Sequence, residues 1–228
     1  MARTQRPRIG LRCSALFIAA LLSFPVSSSA YDTPLSDTAI REAYFLGQRH
    51  DETYADFMNR YTRYIAPPKN GPAISSVTLL TPFAQVVQLS SQRSSGYSAQ
   101  QAQLDHRGWA ESIKVIVEIQ LTPTYGALIP RPGDSRSNPT VGFAQRPCDF
   151  WSDIKVKVLS NDRLLKPFTF SGHPNYDCGD GGGACTLTGA TIEMEVLASA
   201  FDSDSATIQI DPPEGEQLVV DFDLTTLR

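Results

Sequence analysis

Between Ser112 and Leu121 the chain alternates. Ile113, Val115, Val117, Ile119 and Leu121 fall on one face of an extended segment, and Lys114, Glu118 and Gln120 on the other; Ile116 is the one apolar residue out of phase. Successive side chains of a strand point to opposite sides, so this pattern describes a strand with one buried and one wet face, the signature of an antiparallel sheet. No helix can sort the same residues into an apolar and a polar half. The pattern returns at Ile154, Val156 and Val158, which alternate with Lys155 and Lys157. Further strands are expected over 73–80, 83–90, 165–171, 185–198, 205–211 and 216–225, with Pro212, Pro213 and Gly215 punctuating the last two. Many short strands separated by turn residues predict a mainly β domain over 73–228, an antiparallel β-sandwich.

The sandwich is expected to be immunoglobulin-like or jelly-roll-like in kind, with a helical segment ahead of it at 31–72. Residues 36–65 lack proline, and their apolar residues recur at helical spacing: Ile40, Ala43, Tyr44 and Gly47, then Tyr54, Phe57, Met58, Tyr61, Tyr64 and Ile65. Ser36 or Asp37 can cap the start, Asp51 and Glu52 open a second half, Gly47 divides the two, and Pro67 and Pro68 end the stretch. A short helix is expected at 98–106. Residues 123–149 hold five prolines and little alternation, which reads as a long connecting loop. Tyr176 stands two residues before Cys178, the spacing of an immunoglobulin tyrosine corner. Trp151 lies only three residues after Cys148 and the Cys148 to Cys178 interval is short for that fold, so no family is assigned.

The first thirty residues point to export. Arg3, Arg6, Arg8 and Arg12 precede an apolar run from about Ala15 to Val26, and Ser28-Ser29-Ala30 follow. Charge, apolar core and small-residue exit in that order form a secretory signal over 1–30, and the run is shorter than the ~20 residues a membrane span takes. Cys13 precedes the apolar core, which argues against a lipidated cysteine, and the arginines are not adjacent, which argues against a twin-arginine signal. The expected destination is the periplasm, the cell surface or the medium, with no transmembrane segment after cleavage. Residues 149–228 carry fourteen acids against five bases, and 31–148 carry ten against eleven. Nucleic-acid binding needs a basic face and is not expected.

The stretch Asp177 to Cys185, DCGDGGGAC, packs two thiols, two carboxylates and four glycines into nine residues. After removal of the signal the cysteines are Cys148, Cys178 and Cys185, so one disulfide and one leftover thiol is the simplest count. Cys178–Cys185 is the favoured pair, since glycines let the chain fold back and a short loop closes readily; Cys148 with either is the rival. The spacing does not suit zinc or an iron–sulfur cluster. Calcium is the one cofactor the residue types permit, through Asp177 and Asp180 here and Asp202 and Asp204 in FDSDSA, although neither stretch has EF-hand spacing and acid-and-glycine turns are mostly turns. His50, His106 and His173 stand in no context that activates a thiol.

No nucleophile elbow, zinc-protease helix or phosphate loop is present. Two carboxylate pairs remain, Glu193 with Glu195 and Asp221 with Asp223, each two apart on one strand face. That spacing falls near the separation a glycosidase needs, and it is also what the wet face of any such strand looks like. The sequence therefore leads to an exported non-catalytic binding or structural module for an envelope or extracellular ligand. Its alternatives are a secreted hydrolase acting on glycans and a calcium-stabilised adhesion-type module.

Overall fold

The computed structural model describes residues 31, 33–93, 96–131, 142–179 and 185–228; the expected signal over 1–30 lies outside them. Mainly β, the chain is built from antiparallel sheets in a sandwich-like arrangement with helices at its N-terminal side. The first sheet runs β1 (Thr62–Tyr64), β2 (Ala73–Leu80), β3 (Ser112–Gln120), β9 (Thr186–Leu197), β8 (Thr169–Asp177) in spatial order. The second runs β11 (Leu218–Asp223), β10 (Ser205–Asp211), β6 (Lys155–Ser160), β7 (Arg163–Leu165). A two-stranded ribbon, β4 (Leu128–Arg131) with β5 (Gly142–Gln145), gives part of the 123–149 connection regular structure; 132–141 lie outside the described residues. Neither sheet closes on itself. The outer strand β8 carries Pro174, which removes one main-chain donor from an otherwise long free edge.

The alternation read at 112–121 places Ile113, Val115 and Val117 inward, all fully buried. They share one contiguous core with Val77, Leu79, Ile192 and Val196 of the first sheet and with Val158, Ile208, Ile210 and Phe222 of the second. Burying side chains of this size contributes about 1.5–3 kcal/mol each, so this shared layer is what holds the sheets together. Tyr31 and Leu227 belong to the same core, and the Tyr31 hydroxyl donates to the Ala198 carbonyl at 2.7 Å.

Among the described residues four α-helices form beside this layer: α1 (Asp37–Gly47), α2 (Glu52–Tyr61), α3 (Pro82–Gln92) and α4 (Ala99–Arg107). Ser36 caps α1 by accepting from the Ala39 amide at 3.1 Å, Asp51 caps α2 from Tyr54 at 3.3 Å, and Ser98 caps α4 from Gln101 at 3.2 Å. α1 ends at Gly47 as expected. A Cβ there would fall on the Val87 carbonyl of α3, so glycine lets the two helices touch backbone to backbone. A second apolar cluster joins Ile40 and Ala43 of α1 to Phe83, Val86 and Val87 of α3 and Ala102 of α4. The helical layer thus draws on residues from both sides of position 73.

Three expectations are corrected. Residues 165–171 are not one strand: Leu165 ends β7 and β8 begins at Thr169, with Pro167, which has no amide hydrogen for a ladder, in the gap. Residues 83–90 are not a strand but the body of α3. Phe83, Val86, Val87 and Ser90 are buried at helical spacing against α1, Thr81 caps the first turn through the Ala84 amide at 3.3 Å, and Pro82 occupies a position where its missing N–H costs nothing. The second N-terminal helix stops at Tyr61 rather than running to Ile65. Thr62, Arg63 and Tyr64 pair with Thr78, Val77 and Ser76, and the Thr62 and Thr78 hydroxyls meet at 3.0 Å, so sheet pairing overrides the helical period.

Candidate functional site

The outward face of the first sheet is a polar ladder. Lys114 stands opposite Glu195, Ile116 opposite Glu193 and Glu118 opposite Thr191. The Lys114 ammonium lies 3.1 Å from a Glu193 oxygen and 3.8 Å from a Glu195 oxygen. Ser112 donates to the other Glu195 oxygen at 3.2 Å, and Thr191 donates to Glu118 at 2.9 Å while accepting from the Asn175 amide at 3.1 Å. The carboxylate pair at 193 and 195 is therefore bridged by a cation.

Above one end of this ladder α3 and the turn after α4 enclose a groove of about 420 Å³. Ser112, Lys114 and Glu195 form its floor. Gln85, Gln88 and Gln92, spaced as one stripe of α3, form a wall. Trp109 and Phe168 complete it, 40% and 48% exposed. Each part is held by the fold. The Gln85 amide nitrogen donates to the carbonyls of Leu80 (3.2 Å) and Ser112 (2.7 Å), pinning α3 to the sheet. The Phe168 amide donates to the Glu195 carbonyl at 2.9 Å, and the Trp109 amide to that of His106 at 3.0 Å. The side chains of Gln88 and Gln92 and the Trp109 indole N–H have no hydrogen-bond partner among the described residues.

The other candidates do not converge on this place. Asp221 and Asp223 lie on β11 of the second sheet, so the two carboxylate pairs sit on different sheets. Asp221 accepts from the Thr207 hydroxyl at 2.6 Å, and Asp223 caps the short C-terminal turn through Thr225. Asp202 is held by Arg163 at 2.8 Å and by the Ser160 hydroxyl at 3.0 Å; hydrogen bonding to Arg163, then Ser160, keeps its carboxyl below the usual carboxylate range. A guanidinium thus already pairs with one of the two carboxylates of that acidic turn. The Asp204 carbonyl accepts from the Leu224 amide, and Asp177 ends β8 opposite Thr186. Asp180 lies outside the described residues. Among those residues no group of three or more metal-ligating side chains comes together.

DCGDGGGAC is a stapled connection between β8 and β9. Cys178 and Cys185 form a disulfide, and Cys148 is free and exposed. A larger groove of about 540 Å³ lies between the Pro67–Pro72 segment and the turn at 212–218. There Gly71, at a φ of +86°, packs directly on the Glu214 carbonyl, so two proline-rich turns interlock. Trp109, Phe168 and the glutamines were not singled out from sequence. The stripe at 85, 88 and 92 is visible only once 82–92 is read as a helix, and the Thr81-Pro82 start was the available signal.

The chain matches no protein-family model, and no curated protein sequence is similar to it.

Proposed function

We propose that this chain is an exported, non-catalytic binding module whose ligand occupies the groove between α3 and the five-stranded sheet. The observation that carries the reading is the company the groove keeps: unpartnered glutamine amides and an indole N–H beside two exposed aromatic rings. Sites for small ligands combine apolar surface with a few fixed polar groups and have volumes of ~300–1,000 Å³. Export is supported by the basic, apolar and small-residue order over 1–30 and by the Cys178–Cys185 disulfide, a bond that persists in oxidising compartments. No helix among the described residues is long and apolar enough to cross a membrane. The non-catalytic part rests on Lys114, which bridges Glu193 and Glu195. Of the calcium candidates, Asp202 is already paired with Arg163.

The test is a fragment screen by NMR on isotope-labelled protein, expressed with its own leader and purified from the exported fraction. The fragments span amines, carboxylates, aromatics, amides and sugars. Perturbed resonances should cluster at Trp109, Phe168, Lys114 and the α3 glutamine stripe. Clustering at the 212–218 turn, or no clustering with any chemical class, would overturn the reading.

A further inference from the structure

We infer that the ligand of this groove is a neutral saccharide chain, lying with a ring face on Trp109 and its hydroxyls on the α3 glutamines. The inference rests on the reading of the groove as a binding site and adds its chemistry. Three features select the class. The first is charge. The charged groups lining the groove are Lys114 and Glu195, which pair with each other, and Glu193 beside them tips the local balance negative. Among the described residues an anionic ligand would find no unpaired cation in the lining and would face that excess, so uronic acids, phosphates and nucleic acids are disfavoured.

The second is hydrogen-bond character. A sugar hydroxyl both donates and accepts, and it is best met by groups that do the same. Each glutamine side chain offers an acceptor oxygen and a two-hydrogen donor. Gln88 and Gln92 have both ends unpartnered among the described residues, Gln85 keeps its oxygen, and the Trp109 N–H adds a donor. The third is the pairing of those amides with aromatic faces. The negative face of an indole or phenyl ring attracts the weakly positive C–H bonds on one side of a pyranose, while the hydroxyls at its rim stay free for the amides.

A peptide fits less well. Extended peptides are recognised through the unpaired main chain of a sheet edge. The floor of this groove is made by β3 and β9, which are central strands, each paired on both sides. Their main-chain groups are already used, which leaves only side chains to read a ligand.

The experiment is a fluorescence titration of the exported protein with soluble neutral oligosaccharides, from cello-, xylo-, manno-, malto- and chito-series, and with oligogalacturonates as the anionic counterpart. Trp109 is exposed beside the glutamines, so stacking on it should change emission in a saturable way for at least one neutral series. Trp109→Ala should abolish the binding heat that calorimetry reads. Gln88→Ala should weaken binding about tenfold, the loss of one or two polar contacts. Gln88 is only half-buried and lies on a helix surface, so its variant keeps the test usable if Trp109→Ala fails to fold. Isothermal calorimetry checks that a signal is binding.

Absence of saturable binding by any neutral series up to ~10 mM, where an affinity is worth less than about 3 kcal/mol, would overturn the saccharide inference. So would saccharide binding that is unchanged in Gln88→Ala and Trp109→Ala, because it would place the sugar elsewhere. Binding of oligogalacturonates but not neutral sugars, lost in Trp109→Ala, would also overturn it while leaving the groove as a binding site. If the NMR screen finds no ligand of any class in the groove, it is the binding reading that has failed.

Discussion

At the scale of single residues the tyrosines are the best reporters of how the chain is held. Burial pushes the Tyr31 phenol up to about 12, and Tyr97, also raised chiefly by burial, to about 12; burial raises Tyr61 and Tyr125 as well. In an unfolded chain these groups ionise near pH 10. A folded value above the unfolded one means that the native state keeps its protons longer. The corresponding stability is complete below about pH 10 and is lost as pH rises toward about 12. Urea midpoints at about pH 8, 10 and 11 should therefore fall steeply over the last interval. Tyr31→Phe keeps the ring in the core but loses the bond to Ala198. It should cost about 1 kcal/mol at neutral pH and flatten the alkaline fall. An unchanged alkaline slope in that variant would contradict the role given to Tyr31. The acid side has the opposite sign. Hydrogen bonds from Arg163 and Lys157 lower the Asp202 and Asp211 carboxyls, so their contribution is present above about pH 4 and fades as pH falls through the lowered values.

At the scale of elements, backbone contacts decide which substitutions the sheet tolerates. A Cβ at Gly189 would fall on the Ile119 carbonyl oxygen of the neighbouring strand, whereas a Cβ at Gly172 would meet the Trp151 ring. A main-chain oxygen in a central strand pair cannot step aside, but an indole can rotate at some expense. Gly189→Ala should therefore destabilise by about 3 kcal/mol and Gly172→Ala by about 1–2 kcal/mol, as judged from the usual range for overfilled sites. Chemical denaturation of both variants gives the comparison, and equal losses would mean that β3 and β9 yield where they pair. The same reasoning explains which elements were legible. The strand over 205–211 appears as expected because its alternation meets a partner on each side. The stretch 83–90 reads as a strand because FAQVVQLS contains β-branched and apolar residues that suit either period over eight positions. Its decisive signals, Thr81 as cap and Pro82 in the first turn, lie just before it.

At the scale of the whole molecule, one core runs from Tyr31 to Leu227 through both sheets, and Phe57 and Met58 pack against this core and the helical cluster alike. Helices and sheets that share apolar contacts should unfold together. Far-ultraviolet dichroism and tryptophan emission should give one superimposable denaturation curve. Two separated transitions would mean that the helical layer stands as an independent unit. Residues near in sequence determined much by themselves. Alternation at 112–121 and 154–158 set a mainly β chain, helical spacing with capping residues set α1 and α2, and nearness in sequence set the Cys178–Cys185 pair, because each of these is decided by periodicity, by a local cap or by closure of a short loop. The groove was decided by tertiary structure alone. Its wall comes from α3, its rings from Trp109 and Phe168, and its floor from β3 and β9. Those segments meet only because α1 and the sheet together clamp α3 over Leu80 and Ser112, and no local pattern records which distant surfaces a helix will lie between.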